Sequence, residues 1–188
     1  MHTEYEVRVL DINKEEIIKK LESLGATKVA DFDYKRRIYN FNPADDHKWI
    51  RLRTDGEKTT LTIKKLENLE IDGTKEMEIA VSNFEETDNM LNELGYHSHT
   101  YQENKRTRYV LNDVELDIDS WPYIPTYLEI EGKNEKAVKD MIKLLGVNES
   151  KVTSIDVQGV FKTFYNIDIS DVPVVSFDTP LDKKYYIN

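Results

Sequence analysis

The sequence predicts an α+β protein built as a closed eight-stranded antiparallel β-barrel, or tunnel, with helices packed outside. About eight segments alternate polar and apolar residues in the manner of strands. Four amphipathic helices need apolar strand faces to cover, so the remaining charged strand faces are expected to point into the barrel. The 188 residues are expected to form a single domain, with a core over about 3–165 and an irregular tail over 166–188.

The composition excludes several classes of protein. With 39% hydrophobic and 33% charged residues, the chain has the composition of a globular rather than a disordered protein. No apolar run is long enough to cross a bilayer, and no signal peptide is visible, so we expect a cytoplasmic protein with no membrane partner. The net charge of −10 argues against a nucleic-acid partner, and the absence of cysteine excludes thiolate metal sites.

The chain begins with a strand in which every second side chain is charged. Glu4, Glu6 and Arg8 share one face of this strand, because successive side chains of a strand point to opposite faces. Asn13 then has the position of an N-cap for an amphipathic helix, and Gly25 the position of its end.

Basic and aromatic residues dominate the strands that complete the first half. These strands are predicted at residues 32–40, 48–53 and 59–65. Arg51 and Arg53 share the polar face of the second of them, and Lys64 lies on the polar face of the third. Asp55 and Gly56 between them are typical of a hairpin turn.

The same order of motifs recurs about 70 residues later. Glu76 and Glu78 repeat the opening pattern of alternating glutamates, and a helix ending LNELG at Gly95 matches one ending LESLG. A second basic and aromatic strand follows at residues 105–109, as one follows the first helix. We therefore predict an internal duplication, followed by acidic strands at 114–119 and 127–132 and two further helices.

Charges of both signs are expected inside the barrel. The acidic residues are Glu4, Glu6, Glu76, Glu78, Glu115, Asp117, Asp119, Glu129 and Glu131. The basic residues are Arg8, Arg37, Arg51, Arg53, Lys64, Arg106 and Arg108. Such an interior is unfavourable unless it is hydrated and filled by a ligand. The basic set suits a polyanion and the carboxylates suit Mg²⁺ or Mn²⁺, a combination that indicates phosphate chemistry.

Taken together, these motifs resemble the CYTH domain, the family of triphosphate tunnel metalloenzymes. Glu4-x-Glu6-x-Arg8 is similar to the Glu-x-Glu-x-Lys signature at the start of the family. The further matches, in the family's order and spacing, are Arg51-x-Arg53, Leu61-Thr62-Ile63-Lys64, Glu76-x-Glu78, Arg106-x-Arg108, Asp119 and Leu128-Glu129-Ile130-Glu131. The resemblance spans roughly residues 3–145, and the ordered set carries it, since each motif alone is common.

The resemblance implies roles for individual residues. The triphosphate would be bound by Arg8, Arg51, Arg53, Lys64, Arg106 and Arg108, and Mg²⁺ or Mn²⁺ by Glu4, Glu6 and one or both of Glu129 and Glu131. Glu78 and Asp117 are the candidates for orienting the nucleophile. Arg8 is also a candidate catalytic residue, but it replaces the lysine of the signature. Because arginine does not readily lose its proton, Arg8 suits phosphate binding better than proton transfer.

Three functional hypotheses remain open at this point. The first is a metal-dependent phosphoryl-transfer enzyme, either a hydrolase of inorganic, thiamine or nucleoside triphosphate or a class IV-type adenylate cyclase that converts ATP to cyclic AMP. The second is a non-catalytic polyphosphate- or nucleotide-binding barrel, and the third is an inert barrel with a salt-bridged interior. The expected partner is a small-molecule triphosphate, and the protein is either a monomer or a homodimer.

Overall fold

A closed ring of eight antiparallel strands forms the centre of the computed structural model, which describes residues 1–187. The strands are β1 (His2–Val9), β2 (Thr27–Asn40), β3 (Lys48–Thr54), β4 (Thr59–Leu66), β5 (Thr74–Val81), β6 (Ser98–Leu111), β7 (Val114–Ser120) and β8 (Tyr127–Gly132). Their order around the ring is β1-β5-β4-β3-β2-β6-β7-β8, and β8 pairs with β1 to close it. The predicted barrel is confirmed.

Four helices lie outside the ring. They are α1 (Lys14–Ser23), α2 (Phe84–Glu93), α3 (Glu135–Leu145) and α4 (Val157–Tyr165). Asn13 caps α1 by accepting hydrogen bonds from two backbone N–H groups, as predicted. Gly25 and Gly95 follow the first two helices with φ of 82° and 87°, a conformation that glycine adopts without a steric penalty. No helix within residues 1–187 is long and apolar enough to span a membrane.

The helices cover the apolar faces of the strands. Leu116, Leu128 and Ile130 are fully buried and pack with Val138 and Met141 of α3. A second cluster lies between α2 and the strands on the other side of the ring. Because alternation gives each strand two faces, covering the apolar face on the outside turns the charged face towards the interior.

The two halves of the barrel repeat the same elements. The helices α1 and α2 are both 10 residues long, β2 and β6 are both 14, and β3 and β7 are both 7. With β1–β4 as the first half and β5–β8 as the second, the halves meet where β5 pairs with β1 and β4, where β2 pairs with β6, and where β1 pairs with β8. The duplication predicted from the motif spacing is therefore present in the structure.

The C-terminal segment contributes to the core, which the sequence did not indicate. A short strand β9 (Val152–Thr153) pairs with β1, and β10 (Val174–Val175) pairs in parallel with β6. Ile169 and Val175 are almost fully buried in a cluster with Phe161 of α4. The segment after residue 165 shows no helical or strand periodicity, so its apolar residues gave no signal of packing.

Candidate active site: a charged tunnel

A cavity of about 540 Å³ occupies the interior of the ring. Most of the predicted site residues line it. They are Glu4, Glu6, Arg8, Arg51, Arg53, Lys64, Glu78, Arg106, Arg108, Glu129 and Glu131. The eight strands thus bring together side chains that are up to 127 residues apart in sequence.

Arg37 does not lie in the tunnel, and its predicted place there is wrong. It points outwards, where its Nε lies 3.2 Å from the Asp88 carboxylate of α2. Tyr39, two residues on, is fully buried on the same outer face and donates a hydrogen bond to Asp88 at 2.7 Å. Because neighbouring residues of a strand face opposite ways, Arg36 takes the inward position instead.

Asp117 lies behind two arginines. Only 1% of it is exposed, and it is not among the residues that line the cavity. Its carboxylate accepts hydrogen bonds from Arg106 Nη1 at 2.5 Å and from Arg108 Nε at 2.8 Å. Asp119 holds Arg106 from the other side, with contacts of 2.7 and 2.5 Å. This position suits Asp117 to fixing the arginines and does not suit it to meeting a nucleophile.

Arg8 and Glu129 neutralise each other on the wall formed by β1 and β8. Arg8 Nη2 lies 2.8 Å from Glu129 and 3.1 Å from Glu6. Burial opposes the charge of Arg8, but these two carboxylates hold its pKa well above the usual value. Glu129 also contacts Arg106 Nη2 at 2.8 Å. Glu129 is therefore occupied by two guanidinium groups.

Glu131 carries a carboxylate without a basic partner. Within residues 1–187, no basic side chain lies within 4.0 Å of it, and it faces Glu6 across the β1–β8 pairing. Burial, with the neighbouring carboxylates of Glu129, Glu6 and Glu4, raises the pKa of Glu131 to about 8. Burial likewise raises the pKa of Glu4 to about 7, although Lys64 lowers it from a distance of 2.8 Å.

This excess of carboxylates decides whether the residues fit a divalent cation. Over the described chain, no three carboxylate or imidazole groups are already arranged as a cation site. The donor chemistry does fit, because buried like charges on adjacent strands are stabilised by a cation between them and carboxylate oxygens suit hard divalent ions. Glu6 and Glu131, with Glu4 nearby, are the residues that fit such an ion. Glu129 fits less well because arginines already occupy it.

The opposite wall, formed by β2, β3 and β4, is basic on balance. Arg51 lies 3.4 Å from both Glu76 and Glu78, and Arg53 lies 3.7 Å from Glu78. Burial, together with the charge of Arg51, lowers the pKa of Arg53 to about 10. Glu78 also accepts a hydrogen bond from the Thr62 hydroxyl at 2.8 Å, which fixes the position of its carboxylate.

Arg36 is a site residue that the sequence analysis missed. It lines the cavity, is 7% exposed, and has no carboxylate within 4.0 Å in the part of the chain that the structure describes. Its guanidinium donates a hydrogen bond to Asn104 and lies 4.6 Å from the centre of the Trp121 ring. Burial and the charges of Arg51 and Arg53 hold the pKa of Arg36 well below its usual value.

A model of the CYTH domain matches residues 2–155, which is most of the chain. The chain belongs to the CYTH domain family. The match covers all eight strands of the ring, including every residue predicted for the site, and ends just before α4.

Several solved structures have a similar fold. The PH1012 protein from Pyrococcus horikoshii is 24% identical over 81% of this chain and 96% of its own, with a TM-score of 0.72. A candidate adenylate cyclase from Vibrio parahaemolyticus is 10% identical over 86% and 98%, with a TM-score of 0.73. A candidate adenylyl cyclase from Hippeastrum, described as having a dominant triphosphatase activity, is 15% identical over 87% and 96%, with a TM-score of 0.58. These likenesses concern the fold. No curated protein sequence matches this CYTH domain significantly.

Proposed function

We propose that this CYTH domain is a divalent-metal-dependent enzyme that hydrolyses a triphosphate bound in the tunnel. The observation that carries the proposal is the division of charge inside the cavity. Arginines without sufficient counter-charge line the β2–β3 wall, and carboxylates without sufficient cations line the β1–β8 wall. A polyanion bound with a divalent cation neutralises both walls at once.

The basic wall would bind the phosphate chain. Arg51 and Arg53 present guanidinium groups to the cavity, and Lys64 adds an ammonium group beside them. Charge-assisted hydrogen bonds from guanidinium to phosphate oxygens are short and directional. Arg106 and Arg108 line the cavity from another side, where Asp117 fixes their orientation. These groups are in place before the ligand binds, so they stabilise developing negative charge without rearrangement.

The acidic wall would hold the cation through Glu6 and Glu131, with Glu4 close by. When bound, a divalent ion polarises a phosphoryl oxygen and offsets charge that develops during in-line transfer. Arg8 stays charged because Glu6 and Glu129 flank it, so its contribution is electrostatic. Glu78 lines the cavity with its carboxylate fixed by Thr62, which suits it to accept a hydrogen bond from the attacking water.

A two-channel assay tests this proposal. Purified protein with Mg²⁺ or Mn²⁺ receives inorganic triphosphate, ATP or thiamine triphosphate, while phosphate release and cyclic AMP are both measured. We expect phosphate release that a chelator abolishes and that Arg51→Gln and Glu6→Gln reduce at least tenfold, roughly the effect of losing one charged contact. Arg37→Gln is the matched control, since Arg37 lies outside the tunnel.

The other outcomes assign the tunnel differently. Formation of cyclic AMP and pyrophosphate from ATP would reject the hydrolase and identify the protein as a cyclase. No turnover, with triphosphate still raising the melting temperature, would leave a binding protein and reject the enzyme. No stabilisation by any triphosphate would reject the tunnel as a phosphate site.

A further inference from the structure

The two halves of the barrel place opposite charges at equivalent positions. Arg36 and Arg106 each lie three residues before a buried tyrosine, in strands that are both 14 residues long. Arg36 pairs with Arg53 across β2 and β3, whereas Arg106 pairs with Asp119 across β6 and β7. Arg53 and Asp119 are both the sixth residue of a seven-residue strand. The repeat has therefore kept the geometry and inverted the charge of one partner.

This inversion leaves Arg36 without the counter-ion that its equivalent has. Asp119 contacts Arg106 with both carboxylate oxygens, at 2.7 and 2.5 Å. Arg36 instead reaches Asn104, whose Nδ2 donates to the same Asp119 at 3.2 Å. Both oxygens of the Asp119 carboxylate thus already bind Arg106, and the neutral amide of Asn104 lies between Asp119 and Arg36. A buried charge without a counter-ion is strongly destabilising.

The surroundings of Arg36 hold its guanidinium in one orientation. The Trp121 ring lies 4.6 Å from Arg36 Cζ, close enough for a cation–π interaction. Arg53 is held in the same way, with its Cζ 4.5 Å from the Tyr34 ring. The Trp121 ring and the Asn104 amide orient Arg36 without neutralising it. Arg53 has the Glu78 carboxylate at 3.7 Å, but Arg51 shares that carboxylate at 3.4 Å. The three arginines therefore carry more positive charge than Glu78 offsets, which is the arrangement expected where a ligand supplies further counter-charge.

We infer that Arg36 and Arg53 form an anion subsite in which one phosphoryl group of the ligand takes the place that the Asp119 carboxylate has beside Arg106. The inference rests on the proposed function and adds to it a residue that the sequence motifs do not include. A phosphoryl group presents two or more oxygens to the paired guanidinium groups, as a carboxylate does to Arg106. Without an anion in the subsite, the buried charge of Arg36 destabilises the folded protein, and a bound anion removes this penalty. Protein stability and anion binding are therefore coupled at Arg36.

The test measures thermal stability with inorganic triphosphate as the probe, in the presence of a chelator so that no turnover occurs. We expect Arg36→Gln to raise the melting temperature of the ligand-free protein, because an unpaired buried charge is removed. The same variant should bind triphosphate roughly tenfold more weakly, the loss expected for one charged contact. Arg36→Lys should restore part of this affinity. Arg37→Gln, which changes the neighbouring outward arginine, should leave the triphosphate affinity unchanged.

A second variant recreates the other half of the barrel. Arg53→Asp places a carboxylate opposite Arg36, as Asp119 lies opposite Arg106, and should raise the ligand-free melting temperature while abolishing stabilisation by triphosphate. Wild-type affinity in Arg36→Gln, or a lower ligand-free melting temperature in both variants, would overturn the inference. If Arg51→Gln weakens binding while Arg36→Gln does not, the subsite is wrong and the proposed function stands. If triphosphate fails to stabilise even the wild-type protein, the proposed function fails first.

Discussion

Replacing Asp117 by asparagine should destabilise the protein by removing a buried carboxylate that Arg106 and the partly exposed Arg108 share. Asp117 is 1% exposed and contacts both Arg106 and Arg108 at 2.5–2.8 Å. Removing one partner of a buried ion pair costs about 3–5 kcal/mol. Asparagine keeps one acceptor oxygen, so we expect about 2–4 kcal/mol, which for a chain of this size lowers the melting temperature by roughly 5–15 °C.

Calorimetry with and without inorganic triphosphate checks both this magnitude and its cause. The anion should recover more stability in Asp117→Asn than in wild type, because Arg106 and Arg108 regain a negative partner. Glu115→Gln is the matched control. The Glu115 side chain is 43% exposed and, among residues 1–187, forms a salt bridge with Arg108 alone, so its loss should cost about 1 kcal/mol or less. An Asp117→Asn protein that keeps its melting temperature but loses turnover would refute the argument and make Asp117 catalytic.

Two further predictions concern Glu131 and the C-terminal segment. The raised pKa of Glu131 means that the folded state favours its protonated form, so its contribution is fully present below about pH 4.5 and is lost as the pH rises towards 8. Without divalent metal, the melting temperature of Glu131→Gln should therefore be several degrees higher than that of the wild type at pH 8 and equal to it at pH 4.5. Added Mg²⁺ should reduce the difference at pH 8. Equal melting temperatures at both pH values would contradict this prediction. Ile169→Ala should cost about 2–4 kcal/mol in urea unfolding because Ile169 is 1% exposed, whereas Val174→Ala, at a 39% exposed position, should cost under about 1 kcal/mol. Equal losses would show that the segment does not pack as described.

Alternation and repeat spacing were sufficient to predict the barrel and most of its lining. Glu4, Glu6 and Arg8 face inwards because Val7 and Val9, on the other face of β1, are buried against α1 and α3. Once helices cover the apolar faces of the eight strands on the outside, the charged faces must line the interior of the barrel. This physical constraint explains why a single sequence locates so many side chains in one cavity.

The same reasoning failed where two arginines are adjacent. Alternation places one of Arg36 and Arg37 inside, but the charge of the pair does not say which. Tyr39 distinguishes the two possibilities. It is buried on the outer face of the barrel, and Arg37, two residues before it in the strand, shares that face. Which charged residues pair inside the barrel is harder to predict, because it depends on the register between strands that are distant in sequence. In the structure, Glu129 forms salt bridges with Arg8 and Arg106, whereas Glu131, opposite Glu6, does not pair with them.

The two long seams of the ring bear on how the chain folds. Hairpins such as β3–β4 and β6–β7 join neighbours in sequence, whereas β2 pairs with β6 and β1 with β8 across large separations. Pairing of distant segments requires loop closure before contacts compensate, which makes such topologies slow to fold. Arg36 and Arg53 meet in the local β2–β3 pairing, and Arg106 approaches them only when the β2–β6 seam closes. Electrostatic repulsion therefore opposes closure of this seam, and phosphate-containing solutions should accelerate it.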